Sequence, residues 1–225
     1  MAEPAQIETI TTPFFPGISV NCYLIERDGA FILIDTARRG QRAAVEAALN
    51  RAGCSPGKLR LILLTHGDFD HCGNAAYLRR KYQTRVAMHL DDRGMVEQGD
   101  MFWNRKQPNA LIGFIFRRIL SLPKDDQFTP DLWLKEGDDL SVFGFDARVI
   151  ELPGHSRGNI GLLTDERDLF CGDLLGNLGQ PKLWSLIDDP AAAAASVEKL
   201  RPMPIRTVYP GHGKAFRIKE LWEIQ

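Results

Sequence analysis

Short apolar runs alternate with turn signals through the first part of the chain. Two such runs, 18–26 and 30–36, are joined by Arg-Asp-Gly, which is typical of a β-hairpin. Apolar positions at helical spacing predict an amphipathic helix over 41–52. Residues 59–64 are apolar on both faces, which predicts a buried strand.

The rest of the chain mixes strand-like and helix-like segments. Further strands are predicted over 84–88, 139–143, 147–152, 160–164, 169–171 and 207–209. Further helices are predicted over 72–82, over 189–200 and from about residue 219. Hairpins combined with strand–helix alternation favour sheets that pack on each other with helices outside.

The segment 100–126 does not fit this pattern. A helix over 110–120 would be apolar almost all round, interrupted by Arg117 and Arg118. We interpret the segment as a lid over a pocket or as the contact of a homodimer. A buried helix and a helix on a membrane surface are the alternatives.

The composition is ordinary for a globular protein. The chain has 225 residues, 44% hydrophobic and 25% charged, so we expect a single domain over 1–225. With 28 basic and 29 acidic residues, it has no basic field to indicate nucleic-acid binding. No apolar run reaches the roughly 18 residues of a membrane span, and no signal peptide is recognised. The four cysteines form no C-x-x-C pair, so a reduced, cytoplasmic protein is expected.

Candidate chemistry begins in the loop that follows the predicted strand 59–64. This loop carries four side chains of metal-binding types, His66, Asp68, Asp70 and His71. Burying two carboxylates and two imidazoles together is costly unless a cation neutralises them. We therefore interpret the loop as part of a metal site, with a solvated acidic loop as the alternative.

Three more segments place a metal-binding side chain beside glycine, just after an apolar strand. They are Pro-Gly-His155-Ser, Cys-Gly-Asp173 and Pro-Gly-His212-Gly. Glycine lets the backbone turn sharply and approach a shared centre. Imidazole and carboxylate ligands together suit zinc, iron or manganese. His89, the fifth histidine, has no partner at ligand spacing and is interpreted as structural.

Together these motifs resemble the metallo-β-lactamase superfamily. The loop 66–71 is similar to that family's H-x-H-x-D-H signature, and the loop order is similar to that of glyoxalase II. The matching segments follow in the family's order: 20–25, 34–36, 66–71, 153–156, 172–173 and 210–213. The resemblance covers about residues 18–216. It implies an α+β fold, a four-layer αββα sandwich with a dinuclear metal site at the sheet edges.

The resemblance also implies a role for each candidate side chain. The expected ligands are His66, Asp68 and His155 for the first metal ion, and Asp70, His71 and His212 for the second. Asp173 matches the family's bridging carboxylate, and Asp35 matches a buried aspartate that orients the ligand loop. Asp70 is the expected catalytic residue, because it is placed to orient the attacking hydroxide and pass on its proton.

Position 68 departs from the family pattern, because most members have histidine there. With Asp70 and Asp173, Asp68 brings three negative charges against two divalent cations, leaving about one positive charge. A histidine would leave the site one unit more positive. We expect two divalent ions per chain, either zinc or, because carboxylate is a harder ligand, manganese or iron.

The implied activity is attack of a metal-bridging hydroxide on a small ester, thioester, lactone or phosphoester. Two alternatives stay open: an iron-dependent redox enzyme of the same superfamily, and a metal-binding module without catalysis. The expected partner is a small-molecule substrate. Side chains that could line its pocket, with core packing or surface exposure as the alternative, are Phe102, Trp103, Phe114, Phe116, Lys182 and Trp184, with Arg105 and Lys106 at the rim.

Overall fold

The first of two sheets is built by the N-terminal part of the chain. The computed structural model describes residues 5–106 and 120–224. The strands of this sheet are β1 (Gln6–Phe15), β2 (Ile18–Arg27), β3 (Ala30–Ile34), β4 (Leu59–Leu63), β5 (Arg85–His89) and β6 (Leu132–Leu134). They lie side by side in this order. Strands β1 to β3 pair antiparallel, and β3 to β6 pair parallel.

The second sheet follows in the C-terminal part. Its strands are β7 (Ala147–Glu151), β8 (Ile160–Thr164), β9 (Asp168–Asn177), β10 (Pro181–Leu183), β11 (Thr207–Gly213) and β12 (Phe216–Arg217). The spatial order is β12, β11, β9, β8, β7, and β10 also pairs with β9. Strands β9 and β11 run parallel, so their C-terminal ends reach the same edge of the sheet.

Helices cover the outer face of each sheet. They are α1 (Arg42–Arg51), α2 (Phe69–Cys72), α3 (Ala75–Tyr82), α4 (Arg93–Glu97), α5 (Pro190–Leu200) and α6 (Ile218–Trp222). Local sequence explains where α5 begins: the Asp189 carboxylate accepts hydrogen bonds from the backbone N–H groups of Ala191 and Ala192. Pro190 then occupies the first turn, where its missing N–H costs nothing.

Three apolar layers hold the sheets and helices together. In β3, Phe31 and Leu33 pack toward α1 and α3, whereas Ile32 and Ile34 pack between the two sheets. A third layer fills the space between the second sheet and the helices α5 and α6. Strands such as β3 and β4 are therefore buried on both faces, which explains their continuous apolar runs. The predicted four-layer αββα sandwich is confirmed.

Some predicted elements differ from those observed. The helix predicted over 72–82 is divided into α2 and α3, and the strand predicted over 169–171 is the middle of the longer β9. Strand β1 was not predicted, because its polar residues and Pro13 disguise an edge strand that pairs only with β2 within the described sheet.

The strand predicted over 139–143 is wrong. Residues Ser141–Phe143 form a short 3-10 helix instead. The Asp139 carboxylate accepts a hydrogen bond from the backbone N–H of Ser141 at 2.7 Å, and Gly144 ends the turn with a left-handed φ of 89°. A short acidic side chain that bonds its own backbone competes with strand pairing, and here it prevails.

The predicted helix over 110–120 lies, up to residue 119 and including Phe114 and Phe116, outside the described residues. Its flanks are close together, because Asp100 and Ser121 form an isolated β-bridge. Within 5–106 and 120–224, each helix is too short or too polar to cross a bilayer.

Candidate metal centre

Both sheets contribute to one buried cluster of imidazoles and carboxylates. His66 and Asp68 follow β4, and α2 carries Asp70 and His71. The second sheet adds three residues: His155 after β7, Asp173 within β9 and His212 within β11. The exposed fraction of each of these seven residues is 6% or less. All the side chains predicted as metal ligands are therefore brought together.

Two histidines and Asp68 define the first half of the cluster. Asp68 Oδ2 lies 3.0 Å from His155 Nε2 and 3.7 Å from His66 Nε2. Asp173 Oδ2 lies 3.9 Å from His155 Nε2. These separations are close to the roughly 3.4 Å between neighbouring ligand atoms of a tetrahedral site with bonds near 2.1 Å.

The second half is formed around Asp70. Its Oδ2 atom lies 3.8 Å from His71 Nε2 and 3.8 Å from His212 Nε2. Asp173 contacts this half as well, with Oδ1 3.5 Å from His71 Nε2 and Oδ2 3.1 Å from His212 Nε2. Asp173 thus lies between the two halves, where a bridging carboxylate would have to lie.

Backbone carbonyls orient two of the four imidazoles. His212 Nδ1 donates to the carbonyl of Ser19 at 2.7 Å, and His155 Nδ1 donates to the carbonyl of Leu186. Since each Nδ1 carries the proton, the lone pair of each ring is left on Nε2. The Nε2 atoms face the cluster, which is the orientation that metal-binding histidines require.

Asp35 orients the other two imidazoles. Its carboxylate accepts from the Thr65 backbone N–H at 2.8 Å, from Thr65 Oγ1 at 2.7 Å and from His71 Nδ1 at 2.9 Å. The Thr65 hydroxyl oxygen then accepts from His66 Nδ1 at 2.9 Å. These contacts occupy both oxygens of Asp35. Asp35 therefore orients His71 directly and His66 through Thr65, and it is not expected to bind a metal itself.

Several buried atoms of the cluster lack a hydrogen-bond partner among the described residues. They are His66 Nε2, His71 Nε2 and Asp173 Oδ1. Orphaned buried polar atoms are rare in folded proteins and call for a ligand. Gly211 keeps the space behind them open: a Cβ there would lie 2.1 Å from Asp173 Oδ1 and 2.8 Å from His71 Cε1. This donor set fits divalent cations.

The electrostatics of the cluster also favour cations. Burial and the nearby carboxylates of Asp68 and Asp173 raise the pKa of Asp70 to about 6. Burial alone would lower the pKa of His71, but Asp173, Asp70 and Asp35 raise it to about 10. The carboxylates thus repel one another and attract positive charge, which divalent ions supply in place of protons.

Asp68 has a positively charged neighbour that the sequence did not place there. Arg105 Nη1 donates to Asp68 Oδ1 at 2.7 Å, and Arg105 Nη2 lies 3.1 Å from His155 Nε2. Although burial opposes it, this guanidinium holds the pKa of Asp68 well below its usual range. Arg105 was predicted at a pocket rim; it does line a cavity beside Lys106, but only 9% of its side chain is exposed, and the guanidinium is directed inward to Asp68 and His155.

Asp92 is a buried carboxylate that the sequence analysis missed. It accepts from the Gly67 backbone N–H at 3.2 Å, from the Gly158 N–H at 2.9 Å and from Ser156 Oγ at 2.6 Å. It therefore ties the loop that carries His66 to the loop that carries His155. Its sequence signal was weak, because Asp92 is one of two consecutive acidic residues just after β5 and no motif distinguishes it from Asp91.

Asn21 and Tyr23 hold the strand that carries His212. Asn21 Nδ2 donates to the carbonyls of Pro210 at 3.1 Å and Gly213 at 2.7 Å. The Tyr23 hydroxyl donates to the Pro210 carbonyl at 2.6 Å. The segment 20–25 therefore links the first sheet to the second directly beside the cluster.

The substitution Asn21→Asp tests this link. It replaces an amide that donates to two carbonyls with a carboxylate that repels them, so we expect a loss of about 2–4 kcal/mol in unfolding free energy. Urea unfolding of the metal-free protein measures it. Asn50→Asp, on an exposed position of α1, is the matched control and should change stability by less than about 0.5 kcal/mol. Equal effects at the two positions would contradict the assigned role.

The predicted pocket residues have separate locations. Trp184 stacks on His212, with ring centroids 4.3 Å apart and planes 8° apart. Lys182 is exposed on β10, and Phe102 is half-buried. Trp103 packs on α4, where a Cβ on Gly94 would lie 2.0 Å from its ring. Of these four residues, Trp184 directly contacts a metal-ligand candidate, His212.

Phe14 is an aromatic neighbour of the cluster that the sequence analysis did not identify. Its ring centroid lies 5.9 Å from that of His212 and 5.8 Å from that of Phe69. It extends from the tip of the hairpin formed by β1 and β2. Because β1 itself was not predicted, no sequence signal pointed to this contact.

Comparison with known proteins identifies the family of this arrangement. A model of the metallo-beta-lactamase superfamily matches residues 16–212. A hydroxyacylglutathione hydrolase of Rhodopseudomonas palustris strain BisB5 is 32% identical over 193 residues, covering 81% of this chain and 57% of that protein. Hydroxyacylglutathione hydrolase GloC of Haemophilus influenzae is 34% identical over 126 residues, covering 54% of this chain and 53% of that protein. The chain thus spans a little over half the length of these two relatives.

A solved structure extends the comparison to three dimensions. The structure of TTHA1623 in a di-iron-bound form superposes with a TM-score of 0.70 at 28% identity, covering 93% of this chain and 94% of that one. The family model covers most of the chain, and it includes all seven side chains of the buried cluster. The chain belongs to the metallo-beta-lactamase superfamily.

Proposed function

We propose that this chain is a metal-dependent hydrolase that acts on a small ester, thioester, lactone or phosphoester. The observation that carries the proposal is the convergence of four imidazole Nε2 atoms and three carboxylates, some of whose buried atoms have no hydrogen-bond partner. Membership of the superfamily and similarity to hydroxyacylglutathione hydrolases support hydrolysis as the type of reaction.

Two divalent cations fit the two halves of the cluster. Their proposed ligands are His66, Asp68 and His155 for one, and Asp70, His71 and His212 for the other, with Asp173 shared. When bound, such ions polarise the carbonyl or phosphoryl oxygen of a substrate and lower the pKa of water. The protein holds the donors in place through the Nδ1 contacts and Asp35.

Asp70 is the proposed proton carrier. Its Oδ2 atom faces both His71 Nε2 and His212 Nε2, so it lies inside the cluster. From this position Oδ2 can accept a proton from the attacking water and deliver it to the leaving oxygen or sulfur. The Ser156 hydroxyl donates to Asp92 at 2.6 Å, which favours a structural role for Ser156 over a role as nucleophile.

Aromatic side chains favour an organic substrate near the second half. Trp184 covers one face of His212, and Phe14 lies close to the same ring. Such walls exclude water and provide apolar area for an acyl group. The named relatives act on hydroxyacylglutathione, so a hydroxyacyl thioester is the first substrate to examine.

We propose manganese or iron over zinc as the preferred metal. Asp68 places a hard carboxylate oxygen where most members have an imidazole nitrogen, and hard ligands favour manganese and iron over zinc. A di-iron form of a similar structure is consistent with this preference. Reconstitution with each metal separately tests it, and full activity with zinc alone, without gain from manganese or iron, would contradict it.

Metal content and turnover together test the hydrolase. Untagged protein, expressed without added metal, should contain close to two ions per chain by elemental mass spectrometry. It should cleave at least one compound from a panel of hydroxyacyl thioesters, lactones and phosphodiesters, and chelation should abolish the turnover.

Other outcomes would favour the alternatives. Close to one iron per chain without hydrolysis would move the assignment to oxidative chemistry. A protein that contains no metal and takes up none on titration would refute the catalytic proposal.

A further inference from the structure

Arg105 lies against the first half of the metal centre. Its side chain reaches inward from the turn 101–106, where Arg105 Nη1 also donates to the Met101 carbonyl at 3.2 Å. The guanidinium contacts Asp68 Oδ1 at 2.7 Å and His155 Nε2 at 3.1 Å. Two of the three side chains proposed for the first cation are therefore already engaged by a charged group.

The contact with His155 uses the atom that a metal would need. His155 Nδ1 donates to the Leu186 carbonyl, so the single lone pair of the ring is on Nε2. That lone pair can accept from Arg105 or bind a cation, but it cannot do both at once. Asp68 has two oxygens, yet a cation bound to either would be repelled by the guanidinium beside it.

The charge of Arg105 cannot be removed by deprotonation. A guanidinium stays protonated throughout the range in which proteins are folded, so only movement of the side chain relieves the repulsion. A second location is available next to the cluster. A cavity of about 430 Å³ is lined by Arg105 and Lys106 together with the acidic residues Asp188 and Asp189, and the Lys106 backbone N–H donates to Asp188 Oδ1 at 3.0 Å. These carboxylates can receive the guanidinium when it leaves Asp68.

We propose that Arg105 competes with the first metal ion for Asp68 and His155, so that the two halves fill in order. This inference rests on the proposed metal-dependent function. The half formed by Asp70, His71 and His212 binds its cation first and more tightly. The half that contains Asp68 fills second, and it fills only when the guanidinium moves toward Asp188 and Asp189.

Stepwise binding of Mn²⁺ to the full-length, metal-free protein tests the order. Titration calorimetry gives the two affinities, and electron paramagnetic resonance distinguishes an isolated Mn²⁺ from a coupled pair. In the wild type, the second ion should bind at least about tenfold more weakly than the first. The coupled signal should appear only as the second equivalent binds.

Three variants separate local competition from general charge. Arg105→Met keeps an unbranched stem but removes the charge, so the second Mn²⁺ should bind at least about tenfold more tightly than in the wild type. Arg105→Lys keeps a positive charge but lacks the planar guanidinium. It should retain part of the difference between the affinities for the first and the second Mn²⁺. Lys135→Met removes the charge of an exposed residue just after β6, outside this cavity, and should bind both ions as the wild type does.

The outcomes distinguish this inference from the proposed function. Equal affinities for two ions in the wild type would overturn the competition and leave the dinuclear hydrolase intact, without depending on whether any variant folds. An unchanged second affinity in folded Arg105→Met would do the same. If neither the wild type nor any variant binds Mn²⁺ or another divalent metal, the proposed function fails and this inference fails with it.

Discussion

Asp70→Asn should retain most of its bound metal yet lower kcat/KM by at least about 10²-fold, and Asp70→Ala should lower it by about 10³-fold or more. Asparagine keeps an oxygen close to His71 and His212 but cannot accept the proton of the attacking water. Alanine removes the oxygen as well, so the ion proposed to be held by Asp70, His71 and His212 should bind more weakly. Steady-state kinetics and elemental analysis of both variants measure the two effects separately.

Stability should not account for the loss of activity. Burial beside Asp68 and Asp173 raises the pKa of Asp70 to about 6, so its ionised form is unfavourable in the metal-free fold above that pH. Removal of the carboxylate should therefore leave the Tm of the metal-free protein at pH 7 unchanged or higher. Asp165→Ala, at an exposed position, is the matched control for activity. Wild-type turnover in Asp70→Ala would remove Asp70 from the mechanism.

The ligands could be predicted from sequence because each follows a local rule. His155 and His212 come directly after Pro-Gly at the end of an apolar strand, and His66 follows the buried β4. Parallel neighbours such as β9 and β11 end at a common edge, so side chains at those ends converge whatever the length of chain between them. The four-layer arrangement followed from the family resemblance and from strands that are apolar on both faces.

Arg105 could not be placed because its position depends on long-range packing. It is 37 residues from Asp68 and 50 from His155, and no motif surrounds it. Basic residues in an apolar segment usually remain solvated, which is why a rim position was predicted. A buried guanidinium is stable here because Asp68 lies opposite it. The two residues come together only when the chain folds, so no local sequence pattern indicates the pair.

The positions of Asp92 and Trp103 also depend on packing between distant segments, so local sequence did not predict them. Asp92 accepts three hydrogen bonds from two different loops, but its neighbours in sequence are ordinary residues of a surface turn. Trp103 was predicted to line a pocket, with core packing as the alternative, and its ring packs against Gly94. An aromatic residue is equally suited to a pocket wall and to a helix surface, so composition does not distinguish the two locations.

Gly211→Ala should lower metal content and reduce kcat/KM by at least about 10²-fold. The new Cβ would lie 2.1 Å from Asp173 Oδ1 and 2.8 Å from His71 Cε1, far inside van der Waals contact, so one element has to move. Elemental analysis, kinetics and thermal unfolding of the variant show whether strand β11 or the Asp173 carboxylate moves. Gly40→Ala is the matched control, because a Cβ at Gly40 would meet no atom within 4 Å.

Strand β11, which carries Gly211, is less free to move than the Asp173 carboxylate that the new Cβ would meet. Asn21 and Tyr23 both donate to the Pro210 carbonyl, one residue before the substitution, so retreat of β11 would break buried hydrogen bonds. Rotation of the Asp173 carboxylate is cheaper, and it would carry the shared oxygen atoms away from His71 and His212. Gly211→Ala should then lose metal from both halves with only a modest decrease in Tm. Full metal content and activity in this variant would show that Asp173 is not the carboxylate shared by the two ions.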